Sequence, residues 1–90
     1  MTRIEIIANK SVQEDIVSSL ESAVEDFMYT LIPVVHGKGR SSKRMGTSTW
    51  PEENFLLISY LDDDDARAAA AAVAAIKKDY AREGIKVFLI

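Results

Sequence analysis

The sequence predicts an α+β domain in which strands and helices follow the order β-α-β-β-α-β, and three observations carry that expectation. Four short runs rich in branched and aromatic residues, RIEIIA, FMYTLIPVV, NFLLISYL and IKVFLI, have the length and composition of strands. Two longer stretches, one beginning near Ser11 and one after Asp62, repeat apolar residues at helical spacing behind helix-start signals. The chain has 90 residues, the size of one domain, so all six elements share a single core.

The first strand, Arg3 to Ala8, leads into NKSVQE, where Ser11 followed three residues later by Glu14 has the form of a capping box. Ile16, Leu20, Val24 and Phe27 then supply the buried stripe of the first helix, with Glu21, Glu25 and Asp26 off it. The second strand is expected over Phe27 to Val35; Pro33 cannot donate to a ladder, so it belongs at an edge or a bulge. Asn54 to Leu61 is the third strand. Asp62 to Asp65 opens the second helix, whose alanines are the best helix formers and whose stripe is Ala69, Ala72, Val73, Ile76 and Tyr80. Gly84 stands where a C-cap is expected, and Ile85 to Ile90 is the last strand. This is the ferredoxin-like, or split βαβ, plan: a four-stranded antiparallel sheet with two helices on one face. Residues 1–90 are one such domain, with a long loop over 37–53.

A sheet covered on one face should alternate apolar and polar residues. These strands do not. The third places Phe55, Leu57 and Leu61 on one side and Leu56, Ile58 and Tyr60 on the other; the second sets Tyr29, Leu31 and Val35 against Met28, Ile32 and Val34. Two helices cover only one face, and a large uncovered apolar face marks an interface. The expectation is a homo-oligomer whose sheets face one another.

Composition narrows the function. Apolar residues make up 48% and charged residues 28%, an ordinary globular balance. With no cysteine, thiolate metal sites, disulfides and cysteine nucleophiles are excluded, and the chain suits a reducing, cytoplasmic setting. MTRIEIIANK does not read as a signal peptide, and no apolar run approaches the ~18 residues of a spanning helix, so membrane insertion is not expected. The net charge of −3 argues against nucleic-acid binding, but it hides a segregation. Residues 27–51 carry Lys38, Arg40, Lys43 and Arg44 and no acid, whereas the rest of the chain carries 7 basic and 14 acidic residues. A local positive field of this kind steers anions.

Most candidate chemistry yields to a plainer reading. The DDDD run lacks the alternating ligand spacing and central glycine of a calcium loop; acids at a helix start cap it and complement its dipole. His36 is the one histidine and reads as a strand-end residue, although one imidazole per subunit could build a shared metal site, with Met45 suiting a softer metal. No serine sits in a nucleophile elbow and there is no second histidine, so an enzyme is not expected. RNA-binding domains of this plan carry aromatics on the open sheet face, which here is mainly aliphatic.

The segment VVHGKGRSSKRMGTSTWPEE remains. Its GKGRSSKR fits neither a Walker A loop nor a dinucleotide fingerprint. Gly37 and Gly39 permit positive φ, which lets successive N–H groups converge on an anion, while Lys38 and Arg40 add charge and Ser41 and Ser42 add donors. A loop of about 17 residues is longer than a hairpin needs. Lys43 and Arg44 extend the basic surface, and Trp50, the one tryptophan, has the form of a partner anchor.

The plan and the run Gly37, Lys38, Gly39, Arg40, Ser41 at the end of the second strand together resemble the PII nitrogen-regulatory signalling family. The resemblance implies a homotrimer with the sheets facing the centre. It also implies a small effector in the clefts between subunits and a loop that docks on a target protein, often a transporter or an enzyme. Gly37 to Ser41 correspond to the family's adenine-nucleotide segment, so ATP, ADP or AMP is the effector it implies, and no other cofactor. The sequence departs from the family in having Ser41 where glutamine is usual, in keeping only a Gly and a Lys of the turn before the last strand, and in lacking both the arginine-bearing tail and a loop tyrosine. The CutA-like metal-tolerance trimers share the plan and are the alternative resemblance.

Overall fold

Strands β1 (Thr2–Asn9) and β3 (Asn54–Leu61) form the centre of a four-stranded sheet, paired antiparallel along their whole length from Thr2 opposite Leu61 to Asn9 opposite Asn54. The computed structural model describes residues 1–37 and 53–90. Strand β2 (Thr30–Val35) flanks β3, and β4 (Lys86–Leu89) flanks β1, giving the order β2-β3-β1-β4 with every pairing antiparallel. Helices α1 (Gln13–Ala23) and α2 (Asp63–Asp79) complete the ferredoxin-like arrangement and pack against each other.

Alternation along the central strands builds the core. Ile4, Ile6 and Ala8 of β1 and Phe55, Leu57 and Leu61 of β3 are buried against Ile16 and Leu20 of α1 and Ala66, Ala69, Val73 and Ile76 of α2. Each fully buried Ile, Leu or Phe contributes about 1.5–3 kcal/mol. The alanines of α2 contribute less by area, but they suit the helix and fill its sheet-facing stripe with small side chains. The expected stripe holds at Ala69, Val73 and Ile76; Tyr80 instead lies outside the core, where its hydroxyl donates to Asp15 Oδ2 at 2.7 Å and ties the two helices together.

The local signals fare differently from one another. Asp62 caps α2, accepting from the Asp65 N–H at 2.8 Å, as acids at a helix start should. The first helix begins differently. Asn9, not Ser11, supplies the side-chain cap, and it caps a 3-10 turn over Lys10–Val12 by accepting from the Ser11 N–H; α1, which follows, has Val12 at its N-cap and no side-chain cap bond. Both residues are good caps, and the one ending β1 takes the role. Helix α2 ends on Tyr80, four residues before Gly84, and Gly84 does not adopt positive φ; it is not the C-cap. Strand β2 begins at Thr30 rather than Phe27. Val24 is already extended, Asp26 takes the left-handed region at φ 52°, and the chain reverses there before Phe27 and Tyr29 stack with centroids 5.4 Å apart. The Met28 carbonyl accepts from the Ser59 hydroxyl at 2.6 Å. Pro33 lies on the edge strand within the register shift between Ile32 and Val35, as its missing donor requires.

Candidate functional site

Three passes of the chain meet at one end of the sheet. Strand β2 ends at Val35, opposite Asn54 where β3 begins, and Asn54 lies opposite Asn9 where β1 ends. His36 and Gly37 continue from the edge strand and are exposed; Glu53 brings the chain back. Val35 and Asn54, which lead towards and away from segment 38–52, are therefore held side by side by the β2–β3 ladder. The return is fastened a second time. The Lys10 N–H donates to the Glu53 carbonyl at 2.9 Å, and Lys10 Nζ stands 3.7 Å from Glu53 Oε2. This tie joins the loop base to the start of α1, and the sequence reading missed it, because nothing local marks a lysine in a 3-10 turn as the partner of a residue 43 positions away.

Of the expected effector residues, Gly37 is placed here, at the free edge of the sheet. It does not adopt positive φ, and an added Cβ would meet nothing within 4 Å. The N–H groups expected to converge beyond Gly37 belong to residues 38–41 and lie outside the described residues. Lys38, Gly39, Arg40 and Ser41, the partner-contact candidates Lys43, Arg44 and Trp50, and Met45 lie outside the described residues. His36 is exposed, and among the described residues no three His, Cys, Asp or Glu side chains group as metal ligands.

A second surface is the sheet face opposite the helices, where the register sets two rows in which five of the eight residues are apolar. Ile32, Leu56 and Ile7 run across β2, β3 and β1 to Lys86 of β4; Thr30, Ile58 and Glu5 run to Phe88. Tyr60, 62% exposed, stands beside Arg3. The two-faced apolar character expected of the third strand is therefore present in three dimensions. A charged pair interrupts it: Arg3 Nε lies 3.1 Å from Glu5 Oε2. On the covered face, Ser59 interrupts the row Phe55, Leu57, Leu61 and is 2% exposed. A serine in an otherwise apolar alternating row was the signal for its buried hydrogen bond.

Two titrating groups among the described residues are shifted, both away from the loop base. The Thr2 hydroxyl donates to Asp63 Oδ1 at 2.7 Å, and this bond, aided by the N-terminal amine, holds the Asp63 carboxyl below its ordinary range. The hydrogen bond to Asp15, reinforced by the charge of that carboxylate, raises the Tyr80 phenol above its ordinary value.

The profile of the family described as nitrogen regulatory protein P-II matches residues 1–90. Among solved structures, CPII, a nitrogen regulatory PII-like protein from Thiomonas intermedia K12 bound to ADP, AMP and bicarbonate, superimposes with a TM-score of 0.64 at 16% identity, covering 99% of this chain and 88% of that one. A Thermus thermophilus protein described as PII-like and signalling gives 0.63 at 13% identity, covering 99% and 83%. A DUF3240 family protein from Shewanella baltica gives 0.58 at 19% identity, covering 99% and 86%. At these identities the likeness is one of fold. No curated protein matches the chain in sequence.

Proposed function

The chain belongs to the nitrogen regulatory protein P-II family, and from that premise we propose that it is a regulatory binding module, not an enzyme, which senses a small anionic effector at the base of its long loop. The observation that carries the reading is the position of the basic run. In the sequence Gly37 to Ser41 follow His36 just after β2 ends at Val35, and that sheet corner is fastened by both the β2–β3 ladder and the Lys10–Glu53 tie. A rigid base that launches a cationic segment suits a sensor, because an anion bound there is in contact with the part of the chain that can report it. Lys38 and Arg40 supply charge, Ser41 a hydroxyl donor, and Arg40 a planar fork for phosphate.

The effector is an adenine nucleotide, with ATP, ADP and AMP as the candidates. The structural likeness to CPII, a protein bound to ADP, AMP and bicarbonate, supports that choice and adds bicarbonate as a co-ligand to try. The protein works as a homotrimer with the open sheet faces inward and the effector in the clefts between subunits. Lys43, Arg44 and Trp50 of the 37–53 loop meet a partner protein in the cytoplasm, with a membrane transporter as the leading class. No helix among the described residues is long and apolar enough to cross a membrane, so a membrane partner would be met from outside the bilayer.

Calorimetric titration with ATP, ADP and AMP, each with and without bicarbonate, tests the reading. Saturable binding near one site per subunit is expected, and Arg40→Ala with Lys43→Ala should abolish it while leaving the assembly's mass unchanged. Absence of heat with all three nucleotides would overturn the effector assignment; unchanged affinity in the double variant would overturn the site.

A further inference from the structure

The Arg3–Glu5 pair is out of place on an isolated subunit. It lies on β1, one of the two central strands, among Ile7, Ile58, Tyr60 and Phe88 on the uncovered face. The two side chains are 39% and 25% exposed, and a pair still reached by water contributes about 0–1 kcal/mol, so nothing among the described residues calls for it. Covering the face changes the balance. An apolar cover would strip water from both ions without replacing the lost hydrogen bonds, which is strongly unfavourable. The pair is compatible with a covered face only where the cover supplies polar groups at that place. Arg3 is set to receive them. Its Nε lies 3.1 Å from Glu5 Oε2 yet has no accessible surface and no hydrogen-bond partner among the described residues, while the side chain as a whole remains 39% exposed.

A second copy of the chain is the cover that fits. The helices carry Glu14, Asp15, Glu21, Asp62 to Asp65 and Asp79 against Arg67, Lys77 and Lys78, a layer that is acidic on balance, so copies meeting there would oppose net like charge. The sheet rows carry Arg3, Glu5 and Lys86, and are not acidic overall. Phe88 continues the face out to the β4 edge. We propose that Arg3 and Glu5 form the polar lock of a homotypic sheet-to-sheet interface, with the Arg3 guanidinium bridging its own Glu5 carboxylate to an acceptor on the neighbouring copy. The lock fixes the rotation of one sheet on the next, which apolar side chains alone specify poorly. This rests on the assembly put forward above and says which residues determine it.

Sedimentation velocity on the full chain tests the lock, with Arg3→Met, Glu5→Leu, the double variant and the conservative Arg3→Lys, each checked for folding by circular dichroism. Either neutralising variant leaves one buried charge unpaired, and self-association should weaken by roughly 100-fold or more. The double variant should recover most of it, because two apolar side chains replace the ion pair and only the neighbour's acceptor loses a partner. Arg3→Lys should fall between wild type and the neutralising variants, keeping the charge but losing the fork. If the wild type assembles and the single variants assemble as tightly, the lock is wrong and the assembly stands. If the singles dissociate and the double variant does not recover, the two residues act separately and the lock is again wrong. If the wild type is a monomer at high micromolar concentration, the assembly itself fails.

Discussion

The Lys10 N–H donates to the Glu53 carbonyl at 2.9 Å, while the Lys10 ammonium stands 3.7 Å from the Glu53 carboxylate. The two contacts join the same residues but differ in worth. Both side chains are 57% exposed, so the ion pair is screened and contributes little. The backbone bond closes the loop base. Lys10 opens the 3-10 turn, and Asn9 before it sits at φ −63°, ψ 142°, a conformation that tolerates a following proline. Lys10→Pro should therefore remove the N–H with limited strain and destabilise by about 1 kcal/mol. Lys10→Ala should cost under about 0.5 kcal/mol. Urea midpoints of the two variants decide it; an alanine cost equal to the proline cost would show that the side chains hold the corner.

Ser59 is 2% exposed and its hydroxyl donates to the Met28 carbonyl at 2.6 Å. An apolar residue at that place in the core row would gain from losing a buried hydroxyl, but only if the carbonyl found another partner. Met28 belongs to an exposed stretch, so water can partly replace the bond. The expected cost of Ser59→Ala is about 1 kcal/mol, at the lower end for a broken buried bond. Faster hydrogen exchange at the β2 amides next to Met28 should accompany it. A variant as stable as the wild type would mean that the hydroxyl does not hold the start of β2.

The acids at the head of α2 are distinguishable in the same way. Asp62 accepts from the Asp65 N–H at 2.8 Å, so Asp62→Ala should lose about 1 kcal/mol as the helix start loses its cap. Asp64 contacts only Arg67, one helical turn on, through exposed side chains, and Asp64→Ala should lower stability by less than about 0.5 kcal/mol. Thermal unfolding with and without calcium completes the test: a midpoint raised by calcium would revive the ion-site reading that the cap geometry displaces.

What the sequence revealed follows from how local each signal is. Strand β3 runs from Asn54 to Leu61 as read, because its continuous run of branched and aromatic residues and its flanking Glu53 and Asp62 are both local. The start of β2 differs from the reading because Phe27, Met28 and Tyr29 look like strand residues. What keeps them out of the strand is the left-handed Asp26 and a hydrogen bond from Ser59, 31 positions away, and propensity carries neither. The capping box at Ser11 fails for a different reason: Asn9 caps a 3-10 turn over Lys10–Val12, so Ser11 lies inside that turn and α1 starts only at Gln13. The open apolar face was legible from periodicity alone. At the candidate site the charges of the loop were legible as composition, whereas the corner that launches it, built by Lys10 and Glu53, is a product of the fold.

Tyr80 and Asp15 connect the helices, and their hydrogen bond should be readable in an alkaline titration. The bond to the Asp15 carboxylate, and then its charge, favour the neutral phenol, so the folded value lies above the ordinary tyrosine value. The sign follows: the contact stabilises the folded chain fully below the unfolded tyrosine value, and that contribution is lost as pH rises through the folded one. Following tyrosinate absorbance, Asp15→Ala should move one late-titrating step towards lower pH, and Tyr80→Phe should remove that step. An unchanged curve in Asp15→Ala would mean that the two side chains do not pair in solution and that the α1–α2 contact rests on apolar packing alone.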